Sequence, residues 1–129
     1  MEVDEMKLFG YIRVSSKDQN PDRQIIAMKE YGIEDNDIYL DKMSGKDFNR
    51  PKYKKMLSRV KKGDVIVVKS IDRLGREYEE IISEWKHITG NLKADIHVLD
   101  MPMLNTNISH GDLVSRTGAI VLFVFPLIF

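Results

Sequence analysis

Two short segments of the 129-residue chain hold residues suited to work on a phosphodiester, Tyr11-Ile12-Arg13-Val14-Ser15-Ser16 and Ile71-Asp72-Arg73-Leu74-Gly75-Arg76. Together they offer three arginines, an aspartate and serine hydroxyls. Guanidinium forks match phosphate oxygens two at a time and stay charged at any working pH, and a hydroxyl is a potential nucleophile toward phosphorus. Each residue also has a plainer reading. Arg13 alone is an ordinary surface or ion-pair residue, Asp72 with Arg73 can be a salt bridge capping a helix start, and loop serines often only cap or turn. A turn leading into a helix would set Arg73 and Arg76, three apart, on neighbouring faces.

Other phosphate chemistries lack their parts. No G-x-x-x-x-G-K-[ST] or G-x-G-x-x-G loop is present, and neither segment clusters carboxylates for magnesium. The absence of cysteine excludes disulfides and thiolate metal sites. His87, His97 and His110 are scattered, so a Ser-His-Asp arrangement is not expected. Transfer to serine without metal or cofactor remains. Crowded arginines would favour the alkoxide and the charged phosphoryl oxygens, with Asp72 accepting or donating a proton.

Both segments follow apolar runs that read as strands, and in an open α/β sheet the residues past the carboxyl ends of strands share one crevice. Lys7 to Val14 and the β-branched run Val65 to Val68 have the character of strands buried on both faces. Asp37 to Asp41 and Ala94 to Leu99 are two further strands. Asn20-Pro21 opens a helix with an apolar stripe of Ile25, Met28 and Tyr31 that ends at Gly32. Pro51 opens a second, with Tyr53, Met56, Leu57 and Val60 inside and a stop at Gly63, and Tyr78, Ile81, Ile82, Trp85 and Ile88 mark a third that stops near Gly90. The alternation predicts a three-layer α/β sandwich on a mainly parallel sheet of about four to five strands.

Hydrophobic residues make up 43% and charged residues 31% of the chain, a globular composition of one-domain size. The formal net charge is +0, but residues 41–62 hold nine Lys/Arg against two Asp/Glu. That basic island is either a solvated helix face or a nucleic-acid backbone contact, and its closeness to the arginine segments favours the second. The acidic start Met1-Glu2-Val3-Asp4-Glu5 is unlike a signal peptide. The apolar run from Gly118 to Phe129 is shorter than the roughly 20 residues a bilayer span needs. A cytoplasmic location without membrane association is expected, and an exposed stretch such as Ala119 to Phe125 would be an aggregation hazard unless covered.

The chain from Lys7 to about Asn107 closely resembles the catalytic domain of serine recombinases of the resolvase/invertase family. The residues that carry the likeness are Gly10-Tyr11-Ile12-Arg13-Val14-Ser15-Ser16 with Gln19 and Gln24, Asp41-Lys42-Met43-Ser44-Gly45, Arg50, Gly63-Asp64-Val65 and Ile71-Asp72-Arg73-Leu74-Gly75-Arg76. The resemblance implies that Ser15 attacks a DNA phosphodiester, releasing a 3′-hydroxyl and holding the 5′-phosphate as a phosphoserine ester. It implies that Arg13, Arg73 and Arg76 bind the scissile phosphate, with Arg50 a further contact and Lys46 beside it in the same loop. Asp72 would assist proton transfer or orient an arginine, and Gln19, Gln24 and Asp41 would support the site. The implied partner is double-stranded DNA, with a homodimer and a synaptic tetramer in full-length relatives. No cofactor or metal is implied.

Residues 1–107 are thus expected to be the catalytic domain. Residues 108–129 are expected to be an atypical apolar tail, the product of a frameshift or truncation, standing in place of the oligomerisation helix, with the helix-turn-helix DNA reader absent. The alternative is an inactive remnant acting only as an interaction or regulatory module. A receiver-like signalling module would need an acidic cluster after the first strand, where this chain has Arg13-Val14-Ser15-Ser16.

Overall fold

A computed structural model describes residues 6–15, 20–43 and 49–106. Ser16, Gln19, Lys46 and the apolar tail lie outside the described residues. Four strands alternate with three helices: β1 (Leu8–Ser15), α1 (Asp22–Glu30), β2 (Ile38–Met43), α2 (Pro51–Arg59), β3 (Val65–Val68), α3 (Tyr78–Lys86) and β4 (Asp95–Val98). The sheet order is β2-β1-β3-β4, and every neighbouring pair is parallel. The expected three-layer α/β architecture is what the chain forms.

The chain steps from β1 outward to β2, then returns past β1 to β3. Because parallel crossovers are right-handed, reversing direction moves the connecting helix to the other face of the sheet. Met28 of α1 accordingly packs with Ile12, Val14, Val65 and Val67. Tyr53 and Met56 of α2 and Ile81 and Trp85 of α3 pack on the opposite face with Phe9, Tyr11, Ile66, Val68 and Ile96. Alternate residues of β1 feed the two cores, and all four residues of β3 are buried, as its unbroken apolar run predicts. The reversal leaves a crevice between the carboxyl ends of β1 and β3, the place where such sheets bind ligands.

Gly10 allows α1 to lie close to β1. A Cβ there would stand 3.0 Å from Met28 Sδ and 3.1 Å from Ile33 Cδ1. Gly10→Val is therefore expected to cost about 1–3 kcal/mol through overpacking, seen as a lower urea midpoint with an unchanged slope. An unchanged midpoint would mean that α1 stands further off.

Several boundaries differ from the sequence reading. Helix α1 starts at Asp22, with Pro21 at its cap position; Asn20 Oδ1 still accepts the Asp22 N–H at 3.1 Å. Helix α2 ends at Arg59, before Gly63, because Asp64 takes the Lys61 N–H at 2.8 Å and draws the chain toward β3. Helix α3 ends at Lys86 and loosens into a π turn over His87–Asn91, where the Thr89 hydroxyl donates to Trp85 O at 2.8 Å. The edge of β4 is covered by its own downstream chain: Asn105 Oδ1 accepts the Val98 N–H and Thr106 Oγ1 the Ile96 N–H. Among the described residues no helix is long and apolar enough to cross a membrane.

Candidate active site at the β1–β3 crevice

Strand β1 outlasts β3. Its pairing with β3 runs from Leu8↔Val65 to Tyr11↔Val68, whereas its pairing with β2 continues to Ser15↔Met43. Arg13 and Ser15 thus lie beyond the end of β3, and the period of two puts both on the face that Tyr11 buries against α2 and α3. Ser15 is the last residue of the strand and is exposed.

The segment after β3 fills the space beside this overhang. Ile71–Leu74 forms a short 3-10 turn, and two reciprocal hydrogen bonds tie it to β1. Arg13 Nη2 donates to Asp72 O at 2.9 Å, and Arg73 Nη1 donates to Arg13 O at 2.9 Å. Arg50, preceding α2, reaches the same place, its Nη1 donating to Arg73 O at 3.3 Å. Each guanidinium is thereby oriented by a main-chain carbonyl, which fixes it without neutralising it. Burial, reinforced by the charges of Arg73 and Arg50, lowers the pKa of Arg13 from its usual value, while Tyr11 and Asp72 oppose the shift. Arg73 Nε is buried and makes no hydrogen bond among the described residues. Such a cluster gains by receiving an anion.

The carboxylates have positional tasks. Asp41, opposite Arg13 in the β1–β2 register, is buried and accepts three hydrogen bonds: from the Tyr11 hydroxyl at 2.9 Å, from Lys52 N at 3.0 Å and from Tyr53 N at 2.9 Å. It thus serves as the N-terminal cap of α2 from a neighbouring strand, in place of a cap by Arg50, whose side chain makes none. The Asp72 carboxylate accepts from Ser70 Oγ.

Arg76 is placed differently from the sequence expectation. The 3-10 turn ends at Leu74 and Gly75 is fully extended, so Arg73 and Arg76 do not share a helix. Arg76 is exposed, its N–H donating to Glu80 Oε1 at 2.7 Å. Gln24 lies on the α1 side of the sheet, beside a 170 Å³ pocket shared with Met28, Lys69 and Leu99, on the face opposite the arginines.

Tyr53 and Glu84 were not legible as site residues. Tyr53 reads as one more core position of α2, yet its ring lies under the Arg50 guanidinium, with Cζ 4.0 Å from the centroid, and its hydroxyl donates to Glu84 Oε1 at 2.6 Å. The i, i+3 spacing of Arg50 and Tyr53 was the available signal. Burial raises the pKa of the Tyr53 and Tyr11 hydroxyls above the ordinary 10.0, with Glu84 and Asp41 respectively adding to it. The folded chain therefore holds these protons more tightly than the unfolded one. Stability is expected to be full below pH 10 and to fall as pH rises past it. Urea midpoints between pH 9 and 11 check this, and the slope should flatten in Tyr11→Phe.

The chain is 44% identical over 77 residues to the Tn3 resolvase of Escherichia coli, a match covering 60% of this chain and 42% of the resolvase. It is 47% identical over 76 residues to the serine recombinase gin of Escherichia phage Mu, covering 59% of this chain and 38% of that protein. It thus spans about two fifths of the length of these curated relatives. The N-terminal catalytic domain of TP901-1 integrase superposes with a TM-score of 0.64 at 27% identity, covering 95% of this chain and 99% of that one. The sequence pattern of the resolvase N-terminal domain matches residues 8–121, and the chain accordingly belongs to the resolvase N-terminal domain family.

Proposed function

We propose that this chain is the catalytic domain of a site-specific DNA recombinase, acting through a covalent phosphoserine ester at Ser15. The observation that carries the reading is the pair of reciprocal bonds between Arg13 and the Asp72–Arg73 turn. They hold two guanidiniums beside the strand tip that presents an exposed serine.

In this reading Ser15 Oγ attacks the scissile phosphorus, the Oγ–P bond forms and the bond from phosphorus to the 3′-oxygen breaks. The serine proton departs and the 3′-oxygen gains one. Arg13 and Arg73 stabilise the charge that builds on the phosphoryl oxygens, with Arg50 and the exposed Arg76 as further contacts. Asp72 supports the arrangement by offering its carbonyl to Arg13, and Asp41 by anchoring α2. Because the ester conserves the bond energy, a 3′-hydroxyl from another strand reverses the attack and reseals DNA without a nucleotide. Gln19, Gln24 and Lys46 are proposed as supporting residues, and double-stranded DNA, with dimer and tetramer assembly, as the partner.

Incubating the chain with nicked suicide duplexes tests this. An adduct resistant to detergent is expected from the unmodified chain and from Ser16→Ala, and none from Ser15→Ala. An adduct that persists in Ser15→Ala would refute the assignment.

A further inference from the structure

We propose that Tyr53 and Glu84 are a positioning pair for Arg50, holding its guanidinium at the crevice for a phosphate; the inference rests on the recombinase reading. Arg50 sits at a joint, with a left-handed backbone at φ 50° and ψ 60°, a conformation that side-chain-bearing residues adopt rarely. Downstream, Asp41 pins the main chain through Lys52 N and Tyr53 N. The backbone is thus fixed, but a long arginine side chain still has several rotatable bonds to order.

Two contacts among the described residues contribute to that order. The Tyr53 ring supports one face of the guanidinium at 4.0 Å, and Arg73 O receives Nη1 at 3.3 Å. The ring is itself immobilised: Tyr53 is 2% exposed, stands 4.8 Å from the Tyr11 ring, and donates its hydroxyl to Glu84 on α3 at 2.6 Å. A phenol that donates to a carboxylate has a more electron-rich ring, which strengthens its attraction for the cation above it. The neighbouring inward positions are the apolar Met56 of α2 and Val60 just past its end, so a leucine would satisfy packing alone at residue 53. The hydroxyl and its carboxylate acceptor answer a different need. They link α3, through α2, to the arginine cluster.

The test is the rate of adduct formation at saturating suicide DNA. Tyr53→Leu is expected to slow it about tenfold, and Tyr53→Phe, which keeps the face but loses the bond to Glu84, about threefold. Arg50→Ala should cost about as much as Tyr53→Leu, and the double variant no more than either alone. Multiplying effects, or a Tyr53→Leu chain with only a lowered melting temperature, would overturn the proposal. Should Tyr53→Leu not fold, Glu84→Ala replaces it, with a slowing of about threefold expected that disappears in an Arg50→Ala background; an unchanged rate counts against the pair. Titrating inorganic phosphate against the Arg50 side-chain NMR signals of the Ser15→Ala chain separates this claim from the reading it rests on. A parent without adduct, whose Arg50 signals respond to phosphate only when residue 53 is aromatic, would remove the recombinase reading and keep the positioning pair. The same response in Tyr53→Leu would remove the pair.

Discussion

Arg73→Ala is expected to slow formation of the Ser15–DNA ester by roughly 10²–10³-fold, the usual loss when one preorganised donor to developing charge is removed. Arg73 has the geometry for this size of effect. Its Nη1 is tied to Arg13 O at 2.9 Å, its carbonyl receives Arg50, and its buried Nε makes no hydrogen bond among the described residues. The side chain is thus oriented before any ligand arrives. Arg73→Lys keeps the charge but loses the planar fork, so it should recover only part of the rate. Loss of the bond to Arg13 O should cost stability only about 1 kcal/mol, leaving a folded protein to assay. Single-turnover adduct kinetics with a parallel urea titration read both quantities. A rate within threefold of the parent would remove Arg73 from the phosphate site.

The second large effect is on folding. Asp41→Ala is expected to destabilise the chain by about 3 kcal/mol, because three donors lose their acceptor at once and buried donors left unsatisfied cost about 1–3 kcal/mol each before the structure relaxes. Two of them are the first free N–H groups of α2, where a carboxylate also meets the positive end of the helix. The third is the Tyr11 hydroxyl in the core. Asp41→Asn retains an oxygen acceptor but not the charge, and should recover about half. Calorimetry or urea unfolding would measure the difference. If Asp41→Ala loses less than about 1 kcal/mol, water or another side chain is capping α2.

What could be read from the amino acids alone depended on the range over which the determining force acts. The β-branched run Val65–Val68 and the apolar stripes of α2 and α3 are local patterns, and they fixed the elements and the parallel sheet. The meeting of Arg13 with the Asp72–Arg73 turn was legible because both segments follow strands of one parallel sheet, whose carboxyl ends share a crevice. Arg73 and Arg76 fall on separate elements because a glycine in extended conformation and a Glu80 side chain bonded to the Arg76 N–H end the turn early, and nothing in residue spacing announces that. Asp41 enters as a supporting residue only through the family resemblance, and its bonds are those of a helix cap supplied across 11 residues. Tyr53 and Glu84 are 31 residues apart, and their meeting depends on how α2 and α3 share one face of the sheet.

The most direct test of the central claim is to trim the detergent-resistant DNA adduct with nuclease and locate the residual nucleotide on the protein by mass spectrometry. The expected result is a single modified serine, Ser15, carrying a 5′-phosphate-linked nucleotide, with the released strand ending in a 3′-hydroxyl. A nucleotide on Ser16 or Ser70, or linkage through a 3′-phosphate, would contradict it.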